Sequence, residues 1–178
     1  MRNFVSLAAL AATFAVATPA VAQQVDVNDA TAKGTVLLPL SLSETEQLDF
    51  GTVIASTTLG ADADVVIDPA TGTRTISNTN VLGVATYPGG RGVFQGAGTA
   101  GRSVLLTLTA PALLTSGTNT LVVNSMSFDG CGPNCTNTSR TIDLTGAFTV
   151  GVGGSFLVAG KQANGLYTAS YTVTADYQ

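Results

Sequence analysis

Few residues in this chain have both the chemistry and the spacing of a functional site. Two cysteines, Cys131 and Cys135, flank a Gly-Pro-Asn sequence, and three carboxylates, Asp62, Asp64 and Asp68, lie close together. The cysteines could form a disulfide or a redox pair, and the carboxylates could supply oxygen ligands to calcium. The 178 residues include no histidine and no tryptophan. Histidine-based triads, histidine acid–base catalysis and imidazole metal sites are therefore excluded.

The cysteine spacing favours a structural disulfide. Redox-active pairs usually have two intervening residues at the start of a helix, which lowers the thiol pKa. Here three residues separate Cys131 from Cys135, and Gly-Pro-Asn is typical of a turn. The pair is predicted to form a disulfide that closes a small loop in an oxidising compartment.

The acidic residues do not form a recognisable site. Apolar residues occupy 65–67, where further calcium ligands would be needed, so a solvated loop before a strand is favoured and calcium binding stays open. Glu44, Glu46 and Asp49 are interpreted as a charged turn. Carboxylates of either group could in principle hydrolyse glycosides, but the chain lacks the tryptophan platforms common in such enzymes.

Two glycine motifs also lack the context that their chemistry requires. Residues 96–101 match G-x-G-x-x-G, but the next residues read as a strand and not as the helix that would hold a phosphate. Asp-Phe-Gly at 49–51 stands without the other kinase motifs. The sequence thus predicts no enzyme, with no catalytic residue, no metal and no cofactor.

The overall composition predicts a folded β protein. Only 10% of residues are charged, 45% are hydrophobic, and there are 27 threonines and 20 glycines. Low charge with high apolar content is the opposite of a disordered chain, and threonine and glycine favour strands and turns. The net charge of −4 argues against a nucleic-acid partner.

The first 22 residues have the pattern of a secretory signal peptide. Arg2 precedes an apolar run over residues 4–17, and Ala20-Val21-Ala22 supplies the small residues recognised at a cleavage site. The run is shorter than the roughly 20 residues that span a bilayer. We expect cleavage before Gln23, export, an N-terminal extension over 23–34, a domain over 35–178 and no transmembrane segment in the mature chain.

The remaining pattern consists of short strands separated by turns. A helix is not expected beyond a turn or two near 111–114. An antiparallel β-sandwich of immunoglobulin-like type fits this pattern. Predicted strands cover 35–42, 48–54, 65–68, 73–76, 104–109, 120–128, 141–144, 147–152, 156–158 and 166–176.

The last predicted strand is the most regular. Tyr167, Ala169, Tyr171, Val173 and Ala175 alternate with polar residues and continue to Tyr177. Strict alternation predicts one face against a core and the other in water.

Three blocks of the sequence resemble a bacterial family of exported, pilin-like β domains known as domain of unknown function 4402. The blocks are the Leu-Asp-Phe-Gly-Thr-Val stretch at 48–53, the hairpin sequence at 65–75 and the tyrosine-rich ending from 159 onward. The resemblance covers about 35–178. It implies a bacterial, exported β domain.

The C-terminus also resembles fimbrial subunits of the chaperone–usher type. These end with a penultimate aromatic residue, here Tyr177, and a glycine at the fourteenth position from the end, here Gly165. The resemblance implies an incomplete fold in which Gly165, Tyr167, Tyr171, Val173 and Tyr177 mark an assembly edge.

In such subunits, the N-terminal extension of a neighbouring copy completes the fold by strand addition. Val25, Val27, Ala30 and Ala32 are the candidate donor residues, although the two valines and the two alanines alternate in different phases. Neighbouring or related subunits, a periplasmic chaperone and an outer-membrane usher are the implied partners.

Two functions follow from the sequence. The leading hypothesis is a non-enzymatic structural subunit of a fimbria-like surface fibre. The alternative is a monomeric secreted or periplasmic adhesin-like binding module. Whether residues 23–33 close their own domain or a neighbouring one distinguishes the two.

Overall fold

The computed structural model describes residues 31–178, and the unit Val36–Gln178 within it is built from β-strands. The predicted signal peptide and the donor candidates Val25, Val27 and Ala30 lie outside the described residues, whereas Ala32 lies within them and is exposed. The strands are β1 Ser41–Glu46, β2 Val53–Ile54, β3 Ala63–Ile67, β4 Arg74–Ile76, β5 Leu82–Gly83, β6 Gly92–Ala97, β7 Ser103–Thr109, β8 Leu113–Ser116, β9 Asn119–Phe128, β10 Asn137–Thr141, β11 Ala147–Val158 and β12 Thr172–Tyr177.

Strand β11 is the centre of the larger, antiparallel sheet. Its first half pairs with β6 and its second half with β3, while β9 pairs along the opposite edge. β1 adds to β6, β4 adds to β3, and β8 adds to β9. Nine of the twelve residues of β11 are buried, so this strand is enclosed on both of its faces.

The smaller sheet has the order β10-β7-β12 and is also antiparallel. The alternate residues Val104, Leu106 and Leu108 of β7 are buried and pack against Val150 and Val152 of β11 in one cluster. This packing makes the domain a β-sandwich. The alternating pattern predicted the inward faces because successive strand side chains point to opposite sides.

A second cluster fills the other end of the larger sheet. Val65, Leu121, Phe156 and Val158 are buried there, and the short β2–β5 ribbon contributes Val53 to it. The groove described below opens beside this cluster.

The hairpin predicted around 69–72 is confirmed. β3 and β4 are joined by a turn in which Gly72 has a φ of +74°, a backbone conformation that glycine adopts without strain. Asp68 Oδ1 accepts hydrogen bonds from the Ala70 and Thr71 amides, each at 2.8 Å. The carboxylate therefore holds the turn that its position before proline indicates.

Several predicted strands differ from those observed. The two strands predicted at 147–152 and 156–158 are one strand, β11. Its glycines do not break it: a side chain at Gly153 would collide with the Ile67 carbonyl, and one at Gly154 would approach the Ser125 carbonyl at 2.5 Å. These glycines permit close approach of β3 and β9, so here glycine marks tight packing.

Other differences concern strand ends and weak patterns. The first strand starts at Ser41 and not at residue 35; upstream, the Leu38 amide donates instead to Thr99 Oγ1 at 2.7 Å. The last strand covers only Thr172–Tyr177, the strand predicted at 141–144 lies at Asn137–Thr141, and that predicted at 48–54 is reduced to Val53–Ile54. Two strands were not predicted: β6, which contains glycine, and β8, which lies near the possible helical turn.

Candidate functional site

The domain contains a groove with an apolar floor and a volume of about 1090 Å³. Its front wall is the chain segment 48–55, which leads from β1 into β2. Its back wall is the segment 162–171, which leads into β12. The floor between the walls is formed by side chains of β9 and β11.

The floor of the groove is hydrophobic. Leu121, Met126, Phe156 and Val158 are buried, and Val123 is half-buried. Leu121 and Val123 alternate along β9 on its inward face, whereas the intervening Val122 is exposed. The groove therefore reaches directly into the core, and apolar side chains that enter it would leave water.

The front wall is held in place by one arginine. Arg74 on β4 extends its guanidinium to four backbone carbonyl oxygens: Nη1 donates to Phe50 at 3.3 Å, Thr52 at 3.1 Å and Tyr87 at 3.1 Å, and Nη2 donates to Val84 at 3.1 Å. Arg74 thus joins the front wall to the loop after β5.

Two further contacts support the front wall. Asp49 pairs with Gly90 through two backbone hydrogen bonds of 2.9 and 2.7 Å. The Phe50 ring packs edge-on against Phe156, with ring centroids 4.8 Å apart. The front wall is therefore well bonded along its length.

The back wall is fixed at fewer points. Thr168 exchanges two backbone hydrogen bonds with Thr115 of β8, at 2.9 and 3.0 Å. Within the described residues, the backbones of Leu166, Ala169 and Ser170 form no hydrogen bond with another segment. The back wall thus presents free backbone donors and acceptors beside an apolar floor.

Tyr171 closes one end of the groove. Its hydroxyl donates to Glu44 Oε1 at 2.9 Å, and its ring packs edge-on against Phe94. Burial, followed by the hydrogen bond to the Glu44 carboxylate, raises the pKa of Tyr171 well above its usual value. At the other end, the Lys161 amide donates to the Ser56 carbonyl at 2.7 Å, so the walls meet there too.

Tyr177 ties β12 to the opposite side of the sandwich. Its hydroxyl donates to the Leu38 carbonyl at 2.8 Å and accepts the Thr99 amide at 2.7 Å. The gap between β12 and the chain that leads into β1 is therefore bridged by side chains, and no strand pairing links β12 with β1.

The structure brings together part of the predicted assembly edge. Gly165, Tyr167 and Tyr171 line the groove, whereas Val173 and Tyr177 lie on the half-buried inner face of β12 and pack against the core. Sequence reasoning missed Phe50, Leu121, Val123 and Phe156. The alternation along β9 was visible in the sequence, but nothing local shows that its inward face is uncovered.

The other predicted features have structural explanations. Cys131 and Cys135 form the predicted disulfide. Of the acidic cluster, Asp62 Oδ1 accepts the Gly160 amide at 2.8 Å, Asp64 accepts the Asn124 side-chain amide, and Asp68 holds the hairpin turn.

Within the described residues, no group of three cysteines or carboxylates could hold a metal ion. No helix of the described part of the chain is long and apolar enough to cross a membrane.

The lining of the groove suits the binding of an extended polypeptide and includes few charged side chains. Only Glu44 and Asp49 among its lining residues carry a charge, and both lie at the end closed by Tyr171. An apolar floor beside unpaired backbone groups matches the requirements of an added β-strand: a ladder of main-chain hydrogen bonds and pockets for alternate side chains.

Comparison with known protein families identifies the family of this chain. The model of the family described as domain of unknown function (DUF4402) matches residues 40–177. No curated protein and no solved structure matches the chain. Because the match covers most of the chain and includes every strand from β1 to β12, the protein belongs to the DUF4402 family.

Proposed function

We propose that the protein is a non-enzymatic, exported structural subunit of a bacterial surface fibre, assembled by β-strand addition into the groove. The observation that carries this proposal is the back wall at 162–171, in which the backbones of Leu166, Ala169 and Ser170 form no hydrogen bond with another described segment and lie beside an apolar floor. A natural sandwich normally protects such an edge with charge or covers it. The back wall from Gly165 to Tyr171 has no charged residue.

The proposed occupant is the N-terminal extension, residues 23–33, of a neighbouring copy. In an extended donor strand Val25 and Val27 would point to the floor, whereas Ala30 and Ala32, in the opposite phase, would point away from it. Each valine buried would contribute about 1.5–3 kcal/mol before the cost of ordering the strand. Each new main-chain hydrogen bond would add about 1 kcal/mol.

The proposal includes a route to the cell surface. The signal peptide predicted at 1–22 would direct the chain to the periplasm. A periplasmic chaperone would cover the groove there, and an outer-membrane usher would exchange the chaperone for the next subunit. An open apolar groove is an aggregation hazard until it is filled, which gives the chaperone its physical role.

The experiment compares the exported full chain with a variant that lacks 23–33, by size exclusion and electron microscopy in cells that contain the secretion partners. Fibres are expected only from the full chain. Val27→Asp should also abolish them, because a carboxylate would enter the apolar floor, whereas Asn28→Asp on the opposite face of the donor should not.

Two results would overturn the proposal. Fibres from the chain without 23–33 would show that another segment performs assembly. A full-length chain that stays monomeric beside its secretion partners would favour the adhesin-like binding module, with the groove as its ligand site.

A further inference from the structure

Among the exposed large hydrophobic side chains of the domain, two sets lie where neighbouring copies would meet. One set surrounds the groove: Ile54 and Leu166 line it and are 56% and 82% exposed, and Leu82, the β5 partner of Ile54, is 57% exposed. The other set is Val36 and Leu38, 95% and 63% exposed, in the chain that leads into β1.

These two sets lie toward opposite ends of β12. Leu38 is anchored to the hydroxyl of Tyr177, and the groove is closed at its near end by Tyr171. Tyr177 is six residue steps beyond Tyr171 along extended chain, which corresponds to about 20 Å. Within one copy, Leu38 is therefore distant from the end of the groove that Tyr171 closes.

We infer that Val36 and Leu38 of one copy pack against Ile54, Leu82 and Leu166 of the next copy, as a second contact beyond the inserted strand. This inference rests on the proposed function. The partner at this surface is a second copy of this chain, because Val36 and Leu38, the exposed apolar residues that need a partner, closely follow the donor segment.

The length of the connection supports this contact. Only Lys33, Gly34 and Thr35 separate Ala32, the last donor candidate, from Val36. Four residue steps span at most about 14 Å, so Val36 must stay close to the rim over which the inserted strand leaves the groove.

The charges at the two ends of the groove set the direction of the donor strand. Exposed Glu44, Glu46 and Asp49 lie toward the Tyr171 end, whereas Ile54 lies toward the Ser56 end and Leu166 lies midway along the back wall. Apolar Val36 is stabilised only beside the second set. The donor strand therefore runs parallel to the front wall, antiparallel to the back wall, and leaves at the Ser56 end.

The contact would make every interface heterologous, with different surfaces on the two copies. Such interfaces propagate into an open filament when the rotation between copies does not close a ring. This contact between Val36 and Leu38 of one copy and the groove rim of the next, here called the rim contact, would also limit bending at the short Lys33–Thr35 connection. Without it, the inserted strand and this connection would be the only link between the two domains.

The test uses disulfide cross-linking of the exported full chain. A double variant, Val36→Cys with Leu166→Cys, should produce a ladder of dimers, trimers and higher oligomers in denaturing gels without reductant. The matched control is Val36→Cys with Leu144→Cys, because Leu144 is 96% exposed but is not among the residues that line the groove. It should give at least tenfold less trimer.

A second pair of cysteines reports on strand insertion alone. Val27→Cys with Val123→Cys places one thiol in the donor and one in the groove floor, and should also give a ladder. If the Val27–Val123 pair forms a ladder and the Val36–Leu166 pair does not, the rim contact is wrong and the proposed function stands. If neither ladder forms, both proposals are wrong. A Val36–Leu166 ladder alone supports contact between copies and overturns strand insertion.

Discussion

Arg74 offers the sharpest test of how the groove is built. Its guanidinium donates to four carbonyl oxygens, two of which, those of Phe50 and Val84, belong to half-buried residues. Arg74→Gln shortens the side chain and removes its charge, so it can no longer reach both the front wall and the loop after β5. We expect the domain to lose stability and the front wall to lose its fixed position.

The magnitude follows from which carbonyls water can reach. Thr52 and Tyr87 are exposed, so water replaces most of what Arg74 supplies to them. The carbonyls of Phe50 and Val84 are less accessible, and a hydrogen bond from a charged donor contributes about 1.5–3 kcal/mol. Taking the lower value for each of these two bonds, we expect Arg74→Gln to lower the free energy of unfolding by about 3 kcal/mol.

Urea denaturation, followed by tyrosine fluorescence and circular dichroism, measures this change. The matched control is Arg102→Gln, which removes the same charge from an exposed side chain that forms no hydrogen bond in the described residues; it should change the free energy by less than about 0.5 kcal/mol. Equal losses in the two variants would refute the reasoning, because net charge and not the four-carbonyl contact would then explain the effect.

Three further predictions concern the disulfide, the groove floor and the hairpin turn. Replacing Cys131 and Cys135 by serine should cost about 2 kcal/mol or less in urea unfolding, because the closed loop is short; failure to fold would show a larger role. Val123→Asp should abolish fibre formation seen by electron microscopy, while Val122→Asp on the exposed face of β9 should preserve it, and equal loss in both would contradict the assignment of the floor. The Thr71 and Ala70 amides lower the pKa of Asp68, so its contribution is present above the unfolded pKa and is lost as pH falls through the folded value. The difference in urea midpoint between the unmodified chain and Asp68→Ala should therefore shrink below about pH 4, and a constant difference from pH 6 to pH 3 would refute the role of the carboxylate.

The all-β class and the most local features of the fold could be predicted from the sequence. Alternation along β7 and β12, the turn before Gly72 and the cysteine spacing each depend on neighbouring residues, and each is found in the structure. Local patterns succeed here because a strand face and a tight turn are determined over a few residues.

The groove could not be predicted in the same way. Its two walls, 48–55 and 162–171, are distant in sequence, and the front wall depends on Arg74, which belongs to a third segment. The glycines of β6 and β11 led to a wrong strand prediction. They were interpreted as breaks or turns, but in the structure they allow neighbouring chain segments to pack closely. Long-range packing of this kind leaves no local periodicity.

The pairing of β11 with both β3 and β6 has a consequence for the order in which the chain can fold. β3 finds its partner near the end of the chain, and β7 must wait for β12, so most native contacts require closure of long loops. Domains of such high contact order fold in milliseconds to seconds and not in microseconds. If the chain emerges from a membrane pore N-terminus first, β3 and β6 enter the new compartment before the strand that joins them. Throughout that interval β3 has only β4 and β6 has only β1 as a pairing partner, and the edges that β11 will cover stay open. The emerging half-domain is therefore at its most vulnerable to proteolysis and aggregation before β11 arrives.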